Sequence, residues 1–237
     1  MNHFLRIDGI SARAVPDAHV VRDTSLRLLE GGIGALLGGS HAGKSQLLRL
    51  IVGAEAVVRG RIALGNSDLT LSPPDERLAL GISCACQHPP LFPDLSASEH
   101  IALGMGGRKI DTDRRHYLLQ RLPELEDIWP LRMATLARRA RRAVDLARAI
   151  VNRPKLVLID ELSLDLGVER MIEIVRALHR DGSTLLVAER YPDPLLSISD
   201  QVWVMSHGRI ILRGHPVDVA QDDRLQAACI GDLPPPI

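Results

Sequence analysis

The run Gly38-Gly39-Ser40-His41-Ala42-Gly43-Lys44-Ser45 fits the pattern G-x-x-x-x-G-K-[ST], whose chemistry is the holding of a polyphosphate. Glycines let the backbone curl so that successive N–H groups face inward as an anion nest. A helix that starts at the end of the loop, through Ser45 and Gln46, adds its positive end. Lys44 then reaches the β- and γ-phosphates and Ser45 ligates Mg2+. A second group lies far along the chain, where the apolar run Leu156-Val157-Leu158-Ile159 ends in Asp160-Glu161. Acids at the carboxyl end of a parallel strand face the ligand crevice. There Asp160 would hold the Mg2+ shell through water, and Glu161 would orient or deprotonate an attacking water.

Both groups have plainer readings. Gly-Lys-Ser can occur in any strand–turn–helix, and an acid after a strand can cap the next helix. A chance match to the loop pattern in a chain of this kind has odds of roughly 1 in 100 from average residue usage. Here the match also falls between a buried strand and a helix, the one place where it works.

The elements that must position these residues are legible in the pattern. Leu5-Arg6-Ile7-Asp8-Gly9-Ile10 alternates as a strand, followed by loop residues through Pro16-Asp17. Thr24–Leu28 reads as a second strand and Ile33–Leu37 as a short buried one. Gln46–Ile51 is helical and stops at Gly53. Gly60–Gly65 predicts a strand, 168–180 a helix, and 184–188 and 202–205 strands. From about 88 to 140 the chain is first proline-punctuated, then carries Leu and Arg at helical spacing. Strands alternating with helices imply a mostly parallel sheet.

Composition bounds the rest. The 237 residues suffice for a sizeable core. Apolar residues make up 46% and aromatics only 3%, so that core is built from Leu, Ile, Val and Ala. Net charge is zero, which gives no basic field for nucleic acid. Cys84, Cys86 and Cys229 are too few and badly spaced for a disulfide framework, which fits a reducing compartment. Cys84 and Cys86 share one face of a strand and read as core packing rather than metal ligands. No apolar run reaches the roughly 18 residues of a membrane span, and the N-terminal residues do not read as a signal peptide. Any membrane role must therefore come through a partner.

Between the loop and the acids lies Gln87-His88-Pro89-Pro90-Leu91-Phe92-Pro93-Asp94-Leu95-Ser96, then Glu99-His100-Ile101-Ala102-Leu103-Gly104. This stretch resembles the Q-loop segment of ABC transporter nucleotide-binding subunits. Val144–Pro154 is similar to the helix that leads into that family's acidic strand, and Ser199–Ile210 to its late strand and hairpin. The resemblance covers nearly the whole chain in the right order. It implies that Gln87 contacts Mg2+ and the attacking water, and that the stretch after it meets a transmembrane partner. Ser72-Pro73-Pro74-Asp75-Glu76-Arg77 with Gly81-Ile82, Leu91–Leu95, Ser163-Leu164 and the ending Arg224–Gly231 look most like the subunits of branched-chain amino-acid importers. Sugar importers share part of this set.

Several family residues are replaced. The signature Leu-Ser-Gly-Gly-Gln falls on Leu136-Ala137-Arg138-Arg139-Ala140, where only the leucine survives. Glycine permits close backbone approach to a phosphate, and arginines obstruct it. Arg138, Arg139, Arg141 and Arg142 read as a solvated basic helix face; a rewired phosphate contact and an anionic lipid or nucleic-acid contact are the alternatives. The switch histidine falls on Glu189 or on Arg190, depending on which neighbouring motif is aligned. Gly167 stands where the family has the aspartate of the D-loop, with Asp165 nearby, and Leu162 replaces a proline. The adenine-stacking aromatic belongs near Ala14, where none is present; its loss costs about 1–3 kcal/mol if it compares with stacking on nucleic-acid platforms.

The resemblance and the pattern together give an α/β fold of the P-loop, ABC-ATPase type. A mostly parallel sheet core carries an N-terminal antiparallel β portion and an inserted helical subdomain. The expected division is 1–87 as the first part of the core, 88–140 as the helical subdomain and 141–237 as the second part of the core. The implied function is ATP binding in a membrane importer of amino acids or similar small solutes, with weakened hydrolysis. The implied cofactors are ATP and Mg2+, and the implied partners are transmembrane permease subunits and a second ATP-binding subunit. No nucleic acid is expected. The chain would sit in the cytoplasm on the inner face of the membrane. A pseudo-ATPase regulator and a soluble ABC-type ATPase of nucleic acid are the competing classes.

Overall fold

The computed structural model describes residues 3–12, 21–88 and 92–231. The loop at Pro16-Asp17, the position at Ala14, Pro89-Pro90-Leu91 and the Pro234-Pro235-Pro236 tail lie outside the described residues.

Ten strands and eleven α-helices are described. The strands are β1 (His3–Ala12), β2 (Thr24–Leu29), β3 (Ile33–Leu37), β4 (Val57–Leu64), β5 (Ser67–Asp68), β6 (Ile82–Ala85), β7 (Leu156–Asp160), β8 (Thr184–Glu189), β9 (Gln201–Ser206) and β10 (Arg209–Gly214). The helices before β7 are α1 (Lys44–Val52), α2 (Pro74–Ala79), α3 (Ala97–Ala102), α4 (Thr112–Arg121), α5 (Leu125–Ile128) and α6 (Arg138–Ile150). After it come α7 (Ser163–Leu166), α8 (Val168–Arg180), α9 (Pro192–Leu196), α10 (Pro216–Ala220) and α11 (Arg224–Ile230).

A four-stranded antiparallel sheet has the order β2-β1-β4-β5. A six-stranded sheet has the order β10-β9-β3-β8-β7-β6 and is parallel except at the β9–β10 hairpin. The period-two alternation of its strands separates two cores. Val157 and Ile159 of β7, Leu185 and Val187 of β8, and Val202 and Val204 of β9 face one cluster, with α6, α8 and the insertion. Leu156 and Leu158, Leu186 and Ala188, and Trp203 and Met205 face the other, with α1 and the antiparallel sheet. Both faces are covered, which is why β3, β7 and β8 are buried at every position.

The helix expected at 168–180 is α8, whose Met171, Ile174, Val175 and Leu178 form an i, i+3, i+4, i+7 stripe. Among the described residues the chain between β6 and β7 contains no strand, only α3 to α6 and two short 3-10 turns. The start of α3 has a capping box: Ser96 Oγ accepts from the Glu99 N–H at 3.2 Å and Glu99 accepts from the Ser96 N–H at 2.8 Å. Five helices escaped the periodicity reading: α2, α7, α9, α10 and α11. Each is shorter than two turns, too short for a 3.6-residue repeat to register. The strand expected at Gly60 begins earlier, at Val57.

Candidate nucleotide site

The loop 38–43 leaves the carboxyl end of β3, the strand between β8 and β9. Gly38 has φ +148, and a Cβ there would lie 2.3 Å from the Met205 carbonyl oxygen, so only glycine fits. Gly43 has φ +103 and forms the N-cap of α1. Ser40 and His41 are exposed at the tip, and Ala42 is buried beneath them. The Gly39 N–H donates to the Ala228 carbonyl of α11 at 2.9 Å, and the Gly208 N–H donates to Ala42 O at 2.8 Å.

Lys44 is 3% exposed. Its Nζ donates to Gly38 O at 2.7 Å and Gly39 O at 3.0 Å, and pairs with Glu161 Oε1 at 3.1 Å. The other Glu161 oxygen accepts from Gln87 Nε2 at 2.7 Å. Residues 44, 87 and 161 are thus one hydrogen-bonded chain, built from the start of α1 and the ends of β6 and β7. The Ser45 hydroxyl lies beside Asp160, where it favours the charged carboxylate; Asp160 Oδ1 is buried with no partner among the described residues. Gln46 sits differently. Its side chain accepts from the Val21 N–H at 3.0 Å and donates to Glu55 at 3.0 Å, so that its amide is committed to the neighbouring chain.

Glu161 adopts φ +47, a sparsely populated conformation for a residue with a side chain. Such strain costs about 1–3 kcal/mol and concentrates at functional sites. It is held by the Glu161 N–H donating to Ala188 O at 2.8 Å. Glu189 ends β8 next to this point, is 2% exposed, and accepts from Ser163 N at 2.9 Å and Ser163 Oγ at 2.6 Å. Arg190, one residue on, lines a cavity of about 500 Å3 beside Gly39, Ser40 and His41. Of the two residues open for the switch position, Glu189 is the one at the strand end beside Glu161.

Three buried carboxylates, Asp160, Glu161 and Glu189, surround one buried ammonium, Lys44. Burial pushes the Asp160 carboxyl above the ordinary range, against the lowering effect of Ser45, and the neighbouring Glu161 charge pushes it further. Burial likewise raises Glu189, against its bonds from Ser163. A divalent cation would offset this excess of negative charge. The oxygen donors fit a hard ion such as Mg2+: the orphaned Asp160 Oδ1 beside the Ser45 hydroxyl, with the Gln87 amide on the adjoining strand end.

The basic run at the start of α6 is not uniformly solvated, which corrects the reading of one basic face. Arg138 is 72% exposed and pairs with Asp165 at 2.5 Å, and Arg139 is exposed. Arg141 donates to Met133 O at 3.2 Å and Ala134 O at 3.0 Å. Arg142 is 2% exposed. Its guanidinium donates to the carbonyls of Cys86 and Asp160 and to Asp145 at 3.2 Å, and pairs with Asp165 at 3.7 Å. It ties α6 to the ends of β6 and β7, where chain carbonyls turn toward the site. The spacing Arg142-x-x-Asp145-x-x-Arg148 was the sequence signal, since Asp145 pairs with both arginines. Ala137 is the N-cap of α6 and has no side-chain oxygen to offer. Asp165 is 4% exposed at its side chain and points its charge to these arginines, and Gly167 has φ +89. Leu162 is fully buried.

No helix among the described residues is long and apolar enough to cross a membrane. The chain is 34% identical over 206 residues to the spermidine/putrescine import ATP-binding protein PotA of Methylococcus capsulatus, covering 84% of this chain and 53% of that protein. It therefore spans about half the length of such polyamine-import relatives. It is 27% identical over 218 residues to the high-affinity branched-chain amino acid transport ATP-binding protein BraG of Pseudomonas aeruginosa, covering 89% of this chain and 93% of that one. The fold matches a nucleotide-free ATP-binding cassette from an ABC transporter with TM-score 0.81 at 22% identity, over 97% of this chain and 99% of the other. The ABC transporter family model matches residues 21–164, more than half of the 237 residues. The chain belongs to the ABC transporter family.

Proposed function

We propose that this chain is the ATP-binding subunit of a membrane importer, that it binds Mg-ATP at the site built on Lys44, and that it hydrolyses ATP slowly. The observation that carries the reading is the linked set Lys44–Glu161–Gln87 at the carboxyl edge of the parallel sheet, with Ser45 and Asp160 beside it. The loop N–H groups and Lys44 receive the phosphates. Gly38 to Gly43 give the backbone its shape, Ser40 and His41 stand at its mouth, and Gln46 contributes through its place in the first turn of α1. Ser45, Asp160 and Gln87 hold Mg2+, which supplies charge neutralisation at the phosphates. Glu161 orients or deprotonates the water, with Gln87 beside it.

Slow turnover follows from three substitutions at two places. Arg138 and Arg139 stand where a phosphate would need close backbone approach, and Glu189 brings a carboxylate where a neutral or cationic donor would help. The working unit in this reading is a head-to-tail pair with a second ATP-binding subunit, seated on permease subunits at the inner face of the cell membrane. The division into core 1–87, helical subdomain 88–140 and core 141–237 belongs to the same reading. Amino acids remain the solute proposed, supported by the likeness to the branched-chain protein along nearly its full length; the polyamine-import likeness is the competing indication.

Calorimetry on the folded chain tests the binding step. Wild type is expected to bind Mg-ATP and Lys44→Ala to lose binding. Absence of wild-type binding at millimolar nucleotide overturns the proposal. Genes adjacent to the coding sequence test the transport step: permeases and an intact ATP-binding subunit are expected there.

A further inference from the structure

Cys84 and Cys86 sit two residues apart at the end of β6, with their Sγ atoms 3.7 Å apart. Both side chains are half-buried, so neither is sealed from small solutes. Cys84 lies within the strand, paired with Leu158 of β7. Cys86 lies just beyond the strand and is followed directly by Gln87, whose amide donates to Glu161 at 2.7 Å. The Cys86 carbonyl is held by Arg142, which also holds the Asp160 carbonyl.

We propose that Cys84 and Cys86 form a reversible redox pair, oxidised by peroxide to an intramolecular disulfide that pulls Gln87 away from Glu161. The chemistry balances with peroxide as the oxidant. Hydrogen peroxide oxidises one thiol to a sulfenic acid and is itself reduced to water. The second sulfur attacks the sulfenic sulfur, the S–O bond breaks, and the hydroxyl leaves as water with the second thiol's proton. Two thiols and one peroxide give one disulfide and two waters.

The geometry makes this a switch rather than a bystander event. A disulfide needs the sulfurs at about 2.05 Å and the Cα atoms within roughly 4.4–6.8 Å. Two residues apart in an extended strand, Cα atoms stand about 6.6 Å apart, at the upper limit of that range. Closure from 3.7 Å toward the commonest Cα separation of a disulfide, about 5.5–6 Å, draws one end inward. Cys84 is fixed by the ladder to β7, so the end that moves is Cys86, outside the strand. Moving Cys86 displaces its carbonyl from Arg142 and carries Gln87 with it. Cys229 lies elsewhere, on α11, and has no part in the pair.

The test uses the full chain with its own cysteines. Reduced protein is treated with hydrogen peroxide, and thiol-blocked peptides are mass-mapped. Backbone hydrogen exchange is followed in parallel over residues 86–88. The expected result is a peptide carrying both Cys84 and Cys86 that has lost two hydrogens, faster exchange at 86–88, and recovery of both on adding a dithiol reductant. Cys86→Ala is expected to abolish the first two changes. In the oxidised form Mg-ATP affinity is expected to fall about tenfold, the size of one hydrogen bond to a charged group. Free thiols after peroxide, sulfinic acid on a single cysteine, or a disulfide that leaves exchange at 86–88 unchanged each overturns the proposal. A chain that binds no ATP overturns the proposed function instead, and the mass and exchange readouts still decide this one.

Discussion

At the carboxyl edge of the parallel sheet, the polar groups are buried and bonded to one another; at the start of α6, Arg138 and Arg139 stand at the surface. Lys44, Asp160, Glu161 and Glu189 are all below 6% exposed, whereas Arg138 is 72% exposed. The two regions are nevertheless joined by one side chain, Arg142, which begins on the second and ends on carbonyls of the first. The difference teaches where substitution is tolerated. A backbone loop that shapes an anion nest has no slack, as the 2.3 Å approach at Gly38 demonstrates. The exposed turn of a helix admits long basic side chains without disturbing the core behind it.

The largest effect expected within this contrast comes from Arg142. Arg142→Ala removes the guanidinium and leaves Asp145 and Asp165 buried with less compensation. Breaking a buried ion pair from one side costs about 3–5 kcal/mol. A lowered denaturation midpoint with an unchanged slope is the expected outcome. A change below 1 kcal/mol, on the order of an exposed pair, would mean that the two regions are not energetically joined.

Turnover sharpens the comparison next. Phosphate release by the purified chain, with Glu161→Gln as the blank, is expected to lie on the order of 10²–10³ below a cassette with an intact signature and switch, the usual effect of losing one transition-state donor. Several turnovers per second, absent from the blank, would show that Arg138, Arg139 and Glu189 are compensated.

Smaller still is the missing cap. Ala137→Ser gives α6 an N-cap oxygen and is expected to stabilise the fold by about 1 kcal/mol. Thermal unfolding reads this, and no rise in midpoint would mean that the first turn finds its acceptors elsewhere. Arg139→Ala is the smallest. The residue is exposed, and the substitution is expected to fall within about 0.5 kcal/mol of wild type in the same measurement. A larger loss would place Arg139 in the same buried network as Arg142.

Elements with local signals were legible from the residues alone. The loop at 38–45, the buried strands at 33–37 and 156–160, and the striped helix at 168–180 are all contained in short windows, because glycine freedom, burial on both faces and helical periodicity act between near neighbours. The capping box at Ser96 and Glu99 is equally local, but it went unread until the structure showed it. Pairings that join distant segments emerge in the folded chain. Gln87 meets Glu161 across 74 positions, and Arg142 reaches Cys86 across 56. The commitment of Gln46 to Val21 and Glu55, and the bonds that hold Glu189 to Ser163 at the end of β8, arise the same way. Four arginines in five positions look alike as a string. Burial separates them, because the helix turns about 100° per residue and brings only Arg142 onto the carbonyls at the strand ends.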